Sequence, residues 1–343
     1  ALVIEHAISW VKGGLKPRCI TRDIKNGIEV PIKGFEKKTI YVWFDALLGY
    51  ISFVGWKYGK KEMEKWWKEA KIYHFLGKDN IPFHAVFWPA MLIAHGGYNL
   101  PYKICGLAYL LYEGKKFSKS RGYGVFCEKI IKSDIDIEEL RFYLASIIPE
   151  NSDSSFSWED FQRSVNNDLI GNISNFVWRV LHFSKGAKFP IKEKHEEEIE
   201  DFLERGKNYV KNMEEVEIRK ALHEIIHSAK IGNAYLNKRE PWKMEKSSKD
   251  FRRVLYTSLE MSRMIGIMMY PFTPKFSKRV ILSLGLGEEE LKIENLRKKE
   301  ITYEKIEIPK APFFSKISGE DIARWKKELT KASSLQELIT FSI

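Results

Sequence analysis

Between residues 39 and 107 the chain alternates short apolar runs with longer helical stretches, and this alternation constrains the fold more than any other feature. Thr39–Phe44 reads as a buried strand, because five β-branched or aromatic residues follow Thr39. A helix is expected from Ala46, and Ile72–Leu76 reads as a second buried strand. Pro82 opens an apolar helix running to about His95, where Gly96-Gly97 ends it. Lys103–Leu107 is the third strand. Strand, helix, strand, helix, strand is the order of a parallel α/β sheet. Such sheets bind ligands at the carboxyl ends of their strands, so the residues just after each strand carry most of the interest. Residues 1–39 are turn-rich, with Gly13-Gly14, Pro17, Asn26-Gly27 and Pro31.

Beyond about Ser133 the period changes. Ser157–Ile170, Ile173–Lys185, Glu196–Asn212, Ile218–Asn237 and Asp250–Met269 repeat apolar residues at three and four, as in the helices of a bundle. Residues 301–309 read as a strand or an extended strap, and Glu320–Leu329 as a helix. The expected organisation is an α/β domain over residues 1–134, an all-α domain over 135–309, and a strap, helix and tail over 310–343. A length of 343 residues suits two domains.

Charge divides along the same line. Residues 1–134 hold 22 lysines and arginines against 12 acidic residues, whereas the rest of the chain is nearly balanced. A basic first part implies a polyanionic partner such as nucleotide phosphates or nucleic acid, although a solvated lysine-rich surface has the same composition. Cys19, Cys105 and Cys127 are scattered, without a CxxC pair. That pattern excludes a disulfide framework, argues against a cysteine zinc site and points to a reduced, cytoplasmic setting. No apolar run approaches the roughly 18 residues that a membrane span needs.

The strand ends hold chemistry. The first leads into Trp43-Phe44-Asp45-Ala46-Leu47-Leu48-Gly49-Tyr50, the second into Gly77-Lys78-Asp79-Asn80-Ile81-Pro82-Phe83-His84, with Trp88 beyond. Gly77 admits a ligand to the backbone, and Asp79 can accept from hydroxyls such as those of a ribose. Trp43, Tyr50, Phe83, His84 and Trp88 would line a pocket for a thioether, since sulfur packs well on aromatic rings. Ordinary core aromatics would show the same periodicity. After the third strand, Gly114, Gly122 and Gly124 hinge a segment containing Lys115, Lys116, Lys119 and Arg121. Such a loop can close over a triphosphate and neutralise charge as pyrophosphate departs, and a basic surface turn would look similar.

Taken in order, these segments resemble the methionyl-tRNA synthetases, class I aminoacyl-tRNA synthetases, of an archaeal kind. The resemblance rests on Ile20-Thr21-Arg22-Asp23, Tyr41–Tyr50, Gly77–Trp88, Lys116-Phe117-Ser118-Lys119-Ser120, Pro149-Glu150-Asn151-Ser152-Asp153 with Phe156-Ser157-Trp158, and Asn237–Trp242. It implies a Rossmann-like half of the catalytic domain followed by an anticodon-binding helix bundle. Trp43, Ala46, Tyr50, Asp79, Asn80, Phe83, His84 and Trp88 would contact methionine. Gly77, Asp79, Lys116, Ser118 and Lys119 would bind ATP, with Lys116 and Lys119 stabilising the transition state for adenylate formation. ATP with Mg2+ is the implied cofactor, and tRNA(Met) the implied partner. Asn175, Arg179 and Trp242 would read the CAU anticodon, as splayed bases stack on aromatic and guanidinium planes.

The chain departs from the family in three ways. Phe117 replaces the usual methionine of the lysine loop, and Leu47 replaces a proline beside the pocket. The family's His-x-Gly-His signature, which belongs to the first half of the catalytic domain, does not occur. The expectation is therefore a split enzyme whose companion chain supplies that half, and no zinc in this chain. A module that binds the tRNA anticodon without catalysis is the alternative. His223-Glu224-Ile225-Ile226-His227 matches the H-E-x-x-H zinc-protease pattern, but no further histidine follows at the spacing of the longer motif.

Overall fold

The computed structural model describes residues 2–118, 123–297 and 301–329. The chain divides into two compact units. One comprises residues 1–109 with 149–153, and the other residues 110–148 with 154–343.

In the first unit, helix α1 (Leu2–Lys12) precedes a small antiparallel pair, β1 (Thr21–Arg22) and β2 (Thr39–Ile40). Helices α2 (Val42–Tyr58) and α3 (Lys60–Glu69) follow. The expected strand Thr39–Phe44 is thus only two residues long. At Tyr41 the chain turns into α2, and the amides of Phe44 and Asp45 both donate to the Tyr41 carbonyl. An apolar run this short fits strand and helix equally. What decides is the sequel, because Trp43, Leu47, Tyr50 and Val54 recur at helical spacing.

The other two strands stand where the sequence puts them. β3 (Tyr73–Gly77) pairs in parallel with β4 (Lys103–Leu107), from Tyr73 opposite Lys103 to Gly77 opposite Leu107. The crossover between them begins with a tight turn (Lys78–Asn80), widens into π-helical geometry over Phe83–Phe87 and continues as α4 (Trp88–His95), which Gly96 ends at a φ of 75°. Gly106 of β4 is required by close approach. A Cβ there would lie 2.9 Å from side-chain carbons of both Ile81 and Val3.

The core of this unit is thin. Leu47, Trp67, Trp88 and Leu92 form its buried cluster, and α1 buries no residue. Several large apolar side chains lie open: Trp56 at 88%, Phe53 at 70%, Ile93 at 67% and Phe75 at 65% exposure.

The second unit opens with β5 (Leu110–Tyr112), α5 (Cys127–Ile131) and α6 (Ile137–Ser146). β6 (Ser154–Phe156) then pairs in parallel with β5. The bundle continues with α7 (Trp158–Ser164), a π-helical stretch (Val165–Ser174) running into α8 (Asn175–Phe183), α9 (Ile199–Glu214), α10 (Ile218–Arg239), α11 (Lys249–Met269) and α12 (Pro274–Ser283). Local sequence explains the helix starts. Asp136 caps α6, Ser157 caps α7 and Ser248 caps α11 with their side-chain oxygens. Glu138 of α6, itself buried, accepts from the Lys275 and Phe276 amides and so closes the start of α12.

One extensive core joins these helices, with α11 buried on all sides. Inside it Arg263 pairs with Glu260 at 3.1 Å and Glu290 at 2.8 Å. The segment after residue 300 is the expected strap: Tyr303 bridges Ile191, and its hydroxyl donates to Glu260. Helix α13 (Gly319–Leu329) is fastened where Trp325 donates to Asp134 at 2.7 Å and Gln162 and Asn166 donate to the Ile317 carbonyl. No helix among the described residues is long and apolar enough to cross a membrane.

Candidate functional site

The aromatic residues named from the strand ends gather in the first unit. Trp43, Ala46 and Tyr50 occupy positions i, i+3 and i+7 of α2, hence one helix face. Phe83, His84 and Trp88 come from the wide helical turn after β3 and its continuation in α4. π-helical turns of this kind often accompany functional sites. Trp43 stacks on Phe83 with ring centroids 4.4 Å apart and planes 12° from parallel. Tyr50 meets His84 edge-on at 5.7 Å and lies 6.2 Å from Trp88. Trp88 is fully buried and acts as the floor, whereas Ala46 and Tyr50 remain open to solvent.

Hydrogen bonds select the tautomer of His84. Its Nδ1 lies 2.9 Å from the Asn80 carbonyl, which can only accept, so Nδ1 carries the proton. In the neutral ring Nε2 then accepts from the Tyr50 hydroxyl at 2.9 Å. Asn80 therefore contributes through its backbone. His74, which sequence reasoning did not single out, sits behind this pair. Its ring is 4.8 Å from Tyr50 and 5.4 Å from His84, and its Nε2 is buried without a hydrogen-bond partner. Burial, with a smaller contribution from His84, pushes the His74 imidazole down to about 4. A cleft of about 360 Å³ opens beside Tyr50 and His74, bordered by Val54, Trp67 and Ile72.

At the carboxyl end of β3, Gly77 is open. A Cβ there would meet nothing within 4 Å, and its φ of −76° is ordinary, so the bare backbone itself is the feature. Asp79 follows, exposed, and accepts a hydrogen bond from the Tyr109 hydroxyl. Lys78 pairs with Asp153 at 2.8 Å and lies 4.0 Å from the centre of the Tyr109 ring. Tyr109 also escaped the sequence reading, although it stands two residues beyond β4, where the strand-end rule points.

The lysine loop belongs to the second unit. Glu113 and Gly114 both have positive φ, at 45° and 75°, and close a tight turn in which the Tyr112 and Lys115 backbones exchange two hydrogen bonds. Lys116 and Phe117 follow, and Ser118 then exchanges two backbone hydrogen bonds with Tyr123. Lys119 lies outside the described residues. Phe117, itself exposed, lies against Gly124, where a Cβ would come within 2.4 Å of its ring. The loop is anchored to the segment 154–158: the Glu113 amide donates to Phe156, the Glu113 carboxylate accepts from the Trp158 amide, and Gly114 donates to Ser155.

Farther along the same unit, Arg179 of α8 donates to Asn233 at 3.0 Å and Asn237 at 2.7 Å, both on α10. Its guanidinium lies 5.1 Å from the Trp242 ring, which is 47% exposed. Asn175 stands exposed one turn before Arg179. The three residues named for base recognition thus include an Arg–Trp pair already in contact. On another face of α10, Glu224 pairs with Arg205 at 3.0 Å, which engages the carboxylate that a protease reading needs as its base.

A parallel sheet with an aromatic recess at one strand end, a lysine loop on a second short parallel pair and a trailing helix bundle together define the two-part architecture of the class I tRNA synthetases. The family model for tRNA synthetases class I (M) matches residues 2–181, and that for the anticodon binding domain of methionyl tRNA ligase matches residues 186–334. This chain belongs to that family, in its methionine branch. It is 41% identical over 297 residues to the methionine–tRNA ligase of Thermoplasma volcanium, covering 83% of this chain and 54% of the relative. It is 43% identical over 303 residues to that of Sulfolobus acidocaldarius, covering 83% and 52%. The fold matches that of Mycobacterium tuberculosis methionyl-tRNA synthetase in complex with methionyl-adenylate, with a TM-score of 0.77 and 24% identity, over 90% of this chain and 62% of that one. The chain therefore spans about half the length of the curated relatives it matches.

Proposed function

We propose that this chain is the C-terminal part of a methionine–tRNA ligase and works with a companion chain carrying the His-x-Gly-His half. The reaction would activate methionine with ATP and transfer it to tRNA(Met), with the CAU anticodon read by the helix bundle. The observation that carries this reading is the recess of Trp43, Tyr50, Phe83, His84 and Trp88 beside an open strand end at Gly77 and Asp79.

In activation, the methionine carboxylate attacks the α-phosphorus of ATP, the bond to the β-phosphate oxygen breaks and pyrophosphate leaves. No protein nucleophile is required. Positioning and charge stabilisation supply the rate. The recess takes the thioether against aromatic faces, with His84 held by Asn80 and Tyr50. Gly77 offers bare backbone to the adenosine, and Asp79 accepts from a ribose hydroxyl. Lys116 and Lys119 meet the phosphates, assisted by Ser118. Mg2+ would enter with the triphosphate, whose oxygens are its natural ligands. In the bundle, Asn175, Arg179 and Trp242 would receive an unstacked anticodon base on the Arg–Trp pair.

The need for a companion is supported by the first unit, which has a thin core with Phe53, Trp56, Phe75 and Ile93 exposed. An obligate interface would bury such side chains. The test is to mix this chain with a separately produced His-x-Gly-His half and assay aminoacylation of tRNA(Met). Aminoacylation that appears only on mixing supports the proposal. Tight tRNA binding without any aminoacylation favours the non-catalytic anticodon-binding module.

A further inference from the structure

We infer that Tyr109 is the positioning residue for Asp79: its hydroxyl holds one carboxylate oxygen so that the other is presented to a ribose hydroxyl of the nucleotide. The inference rests on the proposed ATP-binding role of Asp79.

The geometry links four residues within the first unit. The Tyr109 hydroxyl donates to Asp79 Oδ2. The Tyr109 amide donates to Asp153 Oδ1 at 3.0 Å, and the same oxygen accepts from Lys78 Nζ at 2.8 Å. Lys78 also lies over the Tyr109 ring, 4.0 Å from its centre. Asp153 itself is carried by a segment whose Pro149 carbonyl accepts from the Ala108 amide at 2.8 Å. The phenol is thus fixed at its backbone and on its face before it reaches Asp79.

Charge makes the arrangement informative. The Lys78 ammonium is spent on Asp153, so the group that steers Asp79 is a neutral hydroxyl. A lysine in that place would cancel the Asp79 charge, whereas a phenol orients it and leaves it a strong acceptor. The hydrogen bond to Asp79 in turn holds the Tyr109 phenol above its ordinary range, so it remains the donor at neutral pH. Asp79 sits on the exposed turn directly after β3, beside the open Gly77 backbone. The Tyr109 hydroxyl donor holds Oδ2 of this exposed carboxylate and so favours one orientation of it.

The experiment is methionine-dependent ATP–pyrophosphate exchange by this chain assembled with its companion half, comparing wild type with Tyr109→Phe, Asp79→Asn and the double variant. Phenylalanine keeps the ring under Lys78 and removes only the donor. Tyr109→Phe is expected to raise KM for ATP about tenfold, with KM for methionine and kcat within about twofold. In the Asp79→Asn background the same change is expected to add nothing, because the hydroxyl acts through that carboxylate. The affinity of the chain for a non-hydrolysable methionyl-adenylate mimic gives the same comparison without turnover. Unchanged kinetics in Tyr109→Phe, an effect confined to methionine or to kcat, or additivity with Asp79→Asn would each overturn the inference. A wild-type assembly that neither exchanges pyrophosphate nor binds the mimic would instead defeat the underlying reading of the site, and this inference with it.

Discussion

The hydroxyl of Tyr50 donates to His84 Nε2 across 2.9 Å, and the opposite ring nitrogen of His84 is held by the Asn80 carbonyl at the same distance. A helix residue and a residue of the next crossover therefore fix one tautomer in the proposed methionine recess. Removing the donor with Tyr50→Phe keeps the ring and leaves the imidazole held at Nδ1 alone. A neutral hydrogen bond contributes about 0.5–1.5 kcal/mol, so KM for methionine should rise about two- to tenfold, with KM for ATP unchanged. Steady-state exchange assays at varied methionine check this. An equal shift for both substrates would contradict it.

His74 makes the first unit sensitive to acid. Its folded imidazole is pushed down from 6.5 to about 4, so between these values the unfolded chain binds a proton that the native chain refuses. Stability must then rise with pH through that window and fall as the solution is acidified. Urea midpoints of wild type and His74→Phe at pH 4.5 and pH 7 test the assignment. The variant should lose less stability on acidification, and equal losses would show that His74 is not the group responsible.

Glu139 acts in the opposite sense in the second unit. Burial first, and then the nearby carboxylates of Asp136 and Asp321, push it up to about 8. The native chain therefore keeps a proton from about pH 4.5 to pH 8 that the unfolded chain releases, and stability falls as pH rises across that range. Glu139→Gln carries no such proton. Its thermal midpoint should decline less than that of wild type between pH 5 and pH 8.5, as followed by circular dichroism.

Activation and anticodon reading are predicted to separate. Lys116→Ala and Lys119→Ala should slow adenylate formation while tRNA affinity stays within about twofold. Trp242→Ala should weaken tRNA binding by about 1–3 kcal/mol, the value of one base–aromatic stack, with pyrophosphate exchange intact. Anisotropy titrations of tRNA(Met) alongside exchange assays distinguish these outcomes. Loss of both activities in any of these variants would contradict separate roles.

How much of this was legible in the sequence depended on the range of the interactions involved. β3 and β4 were readable because each is a short apolar run bounded by polar or glycine residues, and their parallel pairing follows from the helix between them. Thr39–Phe44 was misread because a six-residue apolar run has no period of its own, and Leu47, Ile51 and Val54 downstream settle it as helix. The pairing of β5 with β6 could not be seen. Each has three residues, and they meet across a separation of more than forty. The pocket aromatics were legible as a motif, but His74 and Tyr109 were not. A single buried histidine on a strand has no sequence signature, and Tyr109 gains its meaning only from Asp79, thirty residues earlier.

The central claim is that this chain supplies one half of a methionine-activating site. Methionine-dependent ATP–pyrophosphate exchange, measured on the chain alone and after adding the His-x-Gly-His half, tests it most directly. The account predicts exchange in the mixture and little or none from either part alone. A correctly folded mixture that binds tRNA(Met) yet catalyses no exchange would contradict it.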